Sequence, residues 1–280
     1  MSIQGWRYYN HAAVPSMPPH EAVVPSKLDL KTIWNAFGGR RPLFARWITD
    51  FDCGYETNWW YVIKDTPFDI SALKAKRRYE INKGLKNFDV KRIVASDYGE
   101  EIYNVQVKAF SAYPEKYRPT VNKDKFIASL NDWSRNIIYG AFSKENGELC
   151  GYAYLTKQGK CLDYNVHKTN PEYEHLAINA AIVYRVLEDN TEHLCAGGYI
   201  CDGSRSISHE TAFQDYLEKY FGFRKAYCHL HVKYKPGVNF IVKLLYPFRR
   251  ILKKFDNMSK IHKINAVLLM ENIVRGEKND

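Results

Sequence analysis

A chain of 280 residues, 45% hydrophobic and 26% charged, is long enough to bury a substantial core and too apolar for an intrinsically disordered protein. Its 41 Lys and Arg against 31 Asp and Glu leave a net charge of +10, which favours polyanionic partners (nucleotide phosphates, RNA, acidic glycans, an anionic membrane face) and equally fits a basic surface with no such partner. No stretch approaches the ~18 consecutive apolar residues of a membrane span, the N-terminus lacks the order of a secretion signal, and the six cysteines form no Cys-x-x-Cys pair, so a reducing, cytoplasmic setting is expected.

Residues 1–43 read as an irregular arm punctuated by Pro15, Pro18, Pro19 and Pro25, with one helix, LDLKTIWNAF, stopped at Gly38-Gly39. Two aromatic runs follow, PLFARWITDF and WWYVIK, both of strand type, with Trp59-Trp60 either core or a sugar platform. SALKAKRRYEINKGLKN, residues 71–87, sets Lys74, Lys76, Arg77, Arg78, Lys83 and Lys86 against one acid, Glu80, so it is either a solvated helix or a phosphate clamp.

From residue 88 the pattern is regular: strand DVKRIV, helices YGEEIYNVQVKAFSAY and KDKFIASLNDW, then strand NIIYGAF. Asn146-Gly147 between apolar runs predicts a hairpin into ELCGYAYL, and a third strand, KCLDYNV, follows. Asn170-Pro171-Glu172 supplies a cap, a pre-set first-turn φ and a first-turn acid, predicting a helix over about 171–189.

Residues 197–234 read as strand, polar turn, amphipathic helix, Gly-Phe stop and strand. That order places Asp202, Gly203, Ser204, Arg205 and His209 where a strand gives way to a helix N-terminus, a position that favours anions and perturbs pKa values; an Asp-Gly turn with a helix cap is the plainer alternative. His229 and His231 alternate on one face of the last strand, but no third ligand has metal-site spacing, and no metal is expected. In the tail, Ile241, Leu244, Leu245, Phe248, Ile251, Leu252 and Phe255 form one helical stripe with Arg249, Arg250, Lys253 and Lys254 outside it, and Pro247 should kink or split the helix. Such a stripe either docks on the protein's own core or lies on an anionic membrane through residues 238–255.

Over residues 88–234 the element order resembles the GNAT superfamily of N-acetyltransferases, and the basic stretch KRRYEINKGLKNFDVKRI looks like the Arg-rich helix entering the acyltransferase domain of Fem-like aminoacyltransferases. The resemblance implies an α/β (α+β) fold with a mixed, mostly antiparallel sheet flanked by helices. It divides the chain into an N-terminal arm and partial accessory domain (1–87), an acyltransferase domain (88–236) and a basic amphipathic helical tail (237–280). It also implies a cleft where KCLDYNV and GGYIC splay apart, in which an amine attacks an activated carbonyl.

On that resemblance the general-base candidates are His209 and Asp202. Tyr216 and Tyr220 flank Glu218, which occupies the usual place of the leaving-group tyrosine. Gly203, Ser204, Arg205, Asp163, Tyr164, Arg77 and Arg78 are candidates for holding donor or substrate, with Asp163 and Tyr164 on opposite faces of their strand. The family's glycine-rich phosphate loop is missing from HKTNPEYEHLA. The expected activity is transfer of an acyl group from acyl-CoA, acetyl-CoA first, to a small-molecule or lipid-linked amine such as an amino sugar or cell-envelope precursor. The alternatives are an aminoacyl-tRNA-dependent transferase and a non-catalytic protein that binds an anionic glycan or RNA. The expected location is cytoplasmic, with peripheral contact at the inner face of the plasma membrane if the tail binds lipid.

Overall fold

A computed structural model describes residues 5–21, 23, 25–113, 118–207 and 212–276. The chain opens with a hairpin, β1 (Trp6–Tyr9) and β2 (Ala12–Pro15), rather than an irregular arm. Its two-residue turn holds Asn10 at φ 44° and His11 at φ 62°, the left-handed pair that matches strand twist, and the Tyr8 hydroxyl meets His11 Nδ1 at 3.0 Å. Without a glycine at either position, the turn carries no Asn-Gly signal.

The short helix α1 (Lys27–Thr32) starts in a capping box between Ser26 and Asp29, and β3 (Phe44–Thr49) and β4 (Trp59–Lys64) follow where β-branched and aromatic residues cluster. Next come the basic helix α2 (Ala75–Asn87), β5 (Phe88–Arg92), α3 (Gly99–Ser111) and α4 (Lys123–Ser129), the last capped by Asn122. The meander β6 (Ile137–Ser143), β7 (Leu149–Gln158) and β8 (Cys161–Thr169) is antiparallel throughout. Strand β8 runs three residues beyond KCLDYNV and takes His167 into the sheet.

The helix expected over 171–189 is broken. A 3-10 turn, Pro171–Leu176, ends at Ala177, whose φ of 63° is left-handed, and α5 (Ile178–Asp189) begins only after it. The remaining elements are α6 (Thr191–Cys195), β9 (Tyr199–Ser204), α7 (Ala212–Phe221), β10 (Arg224–Tyr234), α8 (Pro236–Leu245), α9 (Arg249–Lys253) and α10 (Ser259–Val274). Pro247 does split the tail, since a 3-10 turn, Tyr246–Phe248, separates α8 from α9. The sheet is mixed and mostly antiparallel, with helices flanking it.

Two compact units organise the chain, and both are discontinuous in sequence. The first comprises residues 1–62, 204–212 and 225–280, so the tail belongs with the N-terminal strands. Its strand order is β1-β2-β3-β10-β4, with β2 and β3 parallel. Phe44, Ile48, Trp59, Leu230 and Tyr234 from the strands share one core with Val242 and Tyr246 of the tail and Leu268, Met270 and Ile273 of α10. Trp59 is therefore core.

The second unit comprises residues 63–203 and 213–224, with strand order β9-β8-β7-β6-β5. One sheet face packs on α3 through Ile102, Val105, Ile138 and Tyr152, whose hydroxyl donates to Gln106 at 2.5 Å. The other face carries α5, pressed so closely that a Cβ on Gly151 would stand 3.0 Å from Ile182 and 3.1 Å from Ile178.

Candidate active site

Strands β8 and β9 are parallel and pair only over Cys161–Asp163 with Tyr199–Cys201. Beyond Asp163 and Cys201 they part, although β8 continues to Thr169 and β9 to Ser204. Two strands that lose pairing in mid-length leave backbone groups to be met from elsewhere, which makes such a parting a natural place for a ligand.

A β-bulge in β8 reshapes the same spot. Leu155 pairs with Tyr164 and Tyr154 with Val166, so Asn165 is an extra residue in the register, its side-chain amide donating to Thr156 Oγ1 of β7 at 2.9 Å. Side chains alternate between faces from residue to residue, so Tyr164 and His167 would point opposite ways in a regular strand. The extra residue restores them to one face, where the Tyr164 hydroxyl meets His167 Nδ1 at 2.8 Å. His167 Nε2 reaches Asn179 Oδ1 on α5 at 2.7 Å, and Thr169 Oγ1 donates to the same oxygen at 3.2 Å. Because Asn179 Oδ1 can only accept, Nε2 carries the proton, and Nδ1 accepts from the tyrosine. Burial, outweighing the Asn179 contact, pulls the His167 pKa down to about 4, which keeps the ring neutral at pH 7. Burial first, and then the nearby Asp202 charge, push the Tyr164 phenol well up.

Asp202 lies on β9 just past the last paired residue, Cys201. Burial raises its carboxyl to about 8, a hydrogen bond from Gln214 works against that shift, and the Asp163 charge adds to it. Gln214 Nε2 also donates to the Asp202 carbonyl oxygen at 3.2 Å, which ties the end of β9 to α7. A carboxyl that titrates near neutrality can take a proton from an ammonium and return it within one turnover. Asp163 sits opposite Cys201 and so on the other side of the sheet from Tyr164.

Helix α7 closes over the parting. The Phe213 ring lies on His167 with centroids 4.5 Å apart and meets Tyr164 edge-on at 5.9 Å. Further along α7, Tyr216 and Tyr220 are 5.2 Å apart, and the Arg77 guanidinium of α2 stacks 3.3 Å from the Tyr220 ring centroid while pairing with Glu80. Arg77, Glu80, Tyr216 and Tyr220 line a shallow surface depression. Burial raises the Tyr216 phenol above its ordinary range.

Within this unit the sequence candidates Asp202, Tyr164, Tyr216, Tyr220 and Arg77 thus fall on β8, β9, α7 and α2. The Arg78 guanidinium donates to the carbonyls of Leu73 at 2.6 Å and Ser71 at 3.0 Å. Gly203 takes φ 90° at the end of β9, a conformation open to glycine. Ser204 and Arg205 belong to the first unit, where Arg205 donates to the Asn58 carbonyl at 2.7 Å and lies 4.6 Å over Trp60. His209 lies outside the described residues. His229 and His231 have separate partners, the Tyr55 hydroxyl at 2.8 Å and the Thr49 hydroxyl at 2.9 Å.

His167 and Asn179 escaped the sequence reading. Nothing in KCLDYNV marks a bulge, and a helix starting at 171 hides the fact that Asn179 stands in the first turn of α5. The absence of a glycine-rich loop has a structural counterpart at that turn. Helix α2 abuts the start of α5 so tightly that a Cβ on Gly84 would lie 2.5 Å from the Ala177 carbonyl oxygen.

Neither a protein-family model nor a curated protein sequence matches the chain. Among solved structures, L-PGS from Bacillus licheniformis is similar at 13% identity and a TM-score of 0.48, over 86% of this chain and 83% of that one. The C-terminal domain of a putative lysylphosphatidylglycerol synthetase from Agrobacterium fabrum is similar at 10% identity and a TM-score of 0.48, over 85% of this chain and 82% of that one. The PaiA N-acetyltransferase from Thermoplasma acidophilum, solved with coenzyme A, matches at 15% identity and a TM-score of 0.29, over 37% of this chain and 73% of that one. These are distant likenesses in chain path. No helix among the described residues is long and apolar enough to cross a membrane.

Proposed function

We propose that the second unit transfers an acyl group from an activated donor to an amine, with Asp202 as the proton-handling residue. The observation that carries this reading is a carboxyl held near pKa 8 at the point where β8 and β9 stop pairing. The acceptor ammonium gives a proton to the Asp202 carboxylate, and the freed nitrogen attacks the donor carbonyl carbon. A C–N bond forms, the ester or thioester bond breaks, the proton on Asp202 passes to the departing oxygen or sulfur, and the attacking nitrogen releases its second proton to solvent as the neutral amide forms. The neutral His167, its proton fixed on Nε2, sets the Tyr164 hydroxyl in place beside Asp202. Phe213 covers His167 and has to turn aside for a substrate to reach this group.

Acyl-CoA is the first donor to test, and a small-molecule or lipid-linked amine the acceptor class. The packing of Gly84 against Ala177 favours the second reading, an aminoacyl-tRNA donor, because α2 occupies the approach to the α5 N-terminus on which a coenzyme pyrophosphate would otherwise rest. In that reading the bases of α2 meet the tRNA backbone, and binding weakens steeply with salt.

The test is thermal stability with acetyl-CoA, longer acyl-CoAs and charged tRNA in turn. A donor bound at a hundred times its Kd stabilises the native state by about 2.7 kcal/mol, so the true donor raises Tm. If none does, and Asp202→Asn leaves binding of glycan or RNA intact, the protein is a binding module and the transfer reading fails.

A further inference from the structure

The tail stripe divides along its length into two faces with different fates. Val242 and Tyr246 are buried, and Leu245 and Leu252 pack beside them on the first unit's core. The Tyr246 hydroxyl donates to Asn272 of α10 at 2.7 Å, and Asn265 donates to the Leu252 carbonyl at 3.1 Å, so the segment is fastened down along that side. On the other side Phe240 is 69% exposed, Ile241 53%, Leu244 58%, Phe248 52%, Ile251 56% and Phe255 49%. Phe240, Ile241 and Leu244 fall on α8, Phe248 on the 3-10 turn, Ile251 on α9 and Phe255 just after it, so exposed apolar side chains recur along the whole segment.

Isolated exposed apolar residues are ordinary, but six along one segment already docked by its opposite side are not explained by folding. The charge of the segment identifies the occupant. Residues 238–255 hold five bases, Lys243, Arg249, Arg250, Lys253 and Lys254, and no acid. Lys243, Arg250, Lys253 and Lys254 are themselves exposed along the same segment. Exposed apolar side chains interspersed with cations match a bilayer whose acyl region takes the side chains and whose anionic head groups meet the bases.

We propose that the exposed face of residues 240–255 docks the protein on an anionic lipid bilayer, with Phe240, Leu244, Phe248, Ile251 and Phe255 entering the interface. The proposal goes beyond the transfer reading and does not depend on it, since no residue of the Asp202 site takes part.

The test is co-sedimentation of the full chain with phosphatidylcholine vesicles, with and without phosphatidylglycerol. Binding is expected only when phosphatidylglycerol is present, and NaCl should release it. Phe248→Ser with Ile251→Ser, and separately Lys243→Glu with Lys254→Glu, should each weaken binding at least about tenfold. These positions are on the surface, so Tm should be unchanged, and salt release of the unaltered chain reads the charge dependence without any substitution. Failure to sediment with phosphatidylglycerol vesicles overturns the proposal. So does equal binding to neutral vesicles, or a solution dimer that the Phe248/Ile251 pair dissociates, which would give the face to a second copy. Donor-induced Tm shifts in the same variants should match the parent, which keeps this result separate from the fate of the transfer reading.

Discussion

Tyr164 and His167 are three residues apart on one strand and share a 2.8 Å hydrogen bond, a geometry that a regular strand forbids. The bulge at Asn165 makes it possible, and Asn179 fixes the histidine from its far side. One extra residue thereby builds a buried polar chain from phenol to imidazole to amide, next to a carboxyl that burial has raised to about 8.

That chain should behave as a unit. Tyr164→Phe leaves His167 Nδ1 without its donor, and His167→Phe leaves the Tyr164 hydroxyl without its acceptor, each costing ~1–3 kcal/mol as a buried group loses its partner. The double substitution removes both ends, while Asn179 Oδ1 keeps Thr169 at 3.2 Å, so it should cost less than the two singles added together. Urea denaturation of the four proteins checks this, and strictly additive losses would show that the pair is not coupled.

Asp202 gives a pH signature with a definite sign. Its carboxyl titrates near 8 in the folded chain and ~3.9 unfolded, so between those values the folded state holds a proton that the unfolded state has released. Stability should therefore fall as pH rises from about 4 to about 8 and level off above, at ~1.4 kcal/mol per unit and by ~6 kcal/mol at the upper bound. Asp202→Asn should flatten that slope in denaturation measured at several pH values. In a transfer assay kcat/KM should climb toward about pH 8 in the parent, and the substitution should remove both the limb and most of the rate.

Most of the fold was legible because its strands and helices announce themselves by local period and by punctuation. Asn146-Gly147, Pro247 and the Asn170 cap each mark a boundary that the structure contains. What was hidden depends on pairing between distant segments or on backbone states of unexpected residues. Asn10-His11 turns a hairpin without glycine, Ala177 breaks a helix in a left-handed conformation, and Asn165 bulges a strand opposite β7. The site followed the same rule. Asp202 stood out as a polar residue ending an apolar strand, whereas His167 joins it only through a bulge. The tail stripe was readable as seven positions, but its division into a docked side and an open side required the core it rests on.

Arg77 and Arg78 are neighbours in sequence with different work. Arg78 closes the turn before α2 through two backbone carbonyls, so Arg78→Ala should lower stability by ~1–3 kcal/mol and leave donor affinity per folded molecule unchanged. Arg77 stacks on Tyr220 at the rim of the depression by α7, so Arg77→Glu should weaken donor or tRNA binding with a smaller effect on Tm. Titration calorimetry on both variants separates the two, and equal donor affinity in Arg77→Glu and the parent returns α2 to a solvated helix.

Gly84 tests how closely α2 must sit on α5. Alanine is ordinarily the better helix residue by ~1 kcal/mol, so a free surface position would gain from the change. Here the added Cβ would meet the Ala177 carbonyl oxygen at 2.5 Å and the Ala181 Cβ at 3.0 Å. The first of these is backbone, held left-handed at φ 63°, and has no rotamer through which to yield. Gly84→Ala should therefore destabilise the protein by ~1–3 kcal/mol, the usual cost of overpacking a tight contact. Because Asn179 lies two residues past Ala177, a forced shift there should also disturb its contact with His167. The His167 ring signal in an NMR titration reads this directly. A gain in Tm with the histidine unmoved would mean that α2 is free to lift, and with it the approach to the α5 N-terminus.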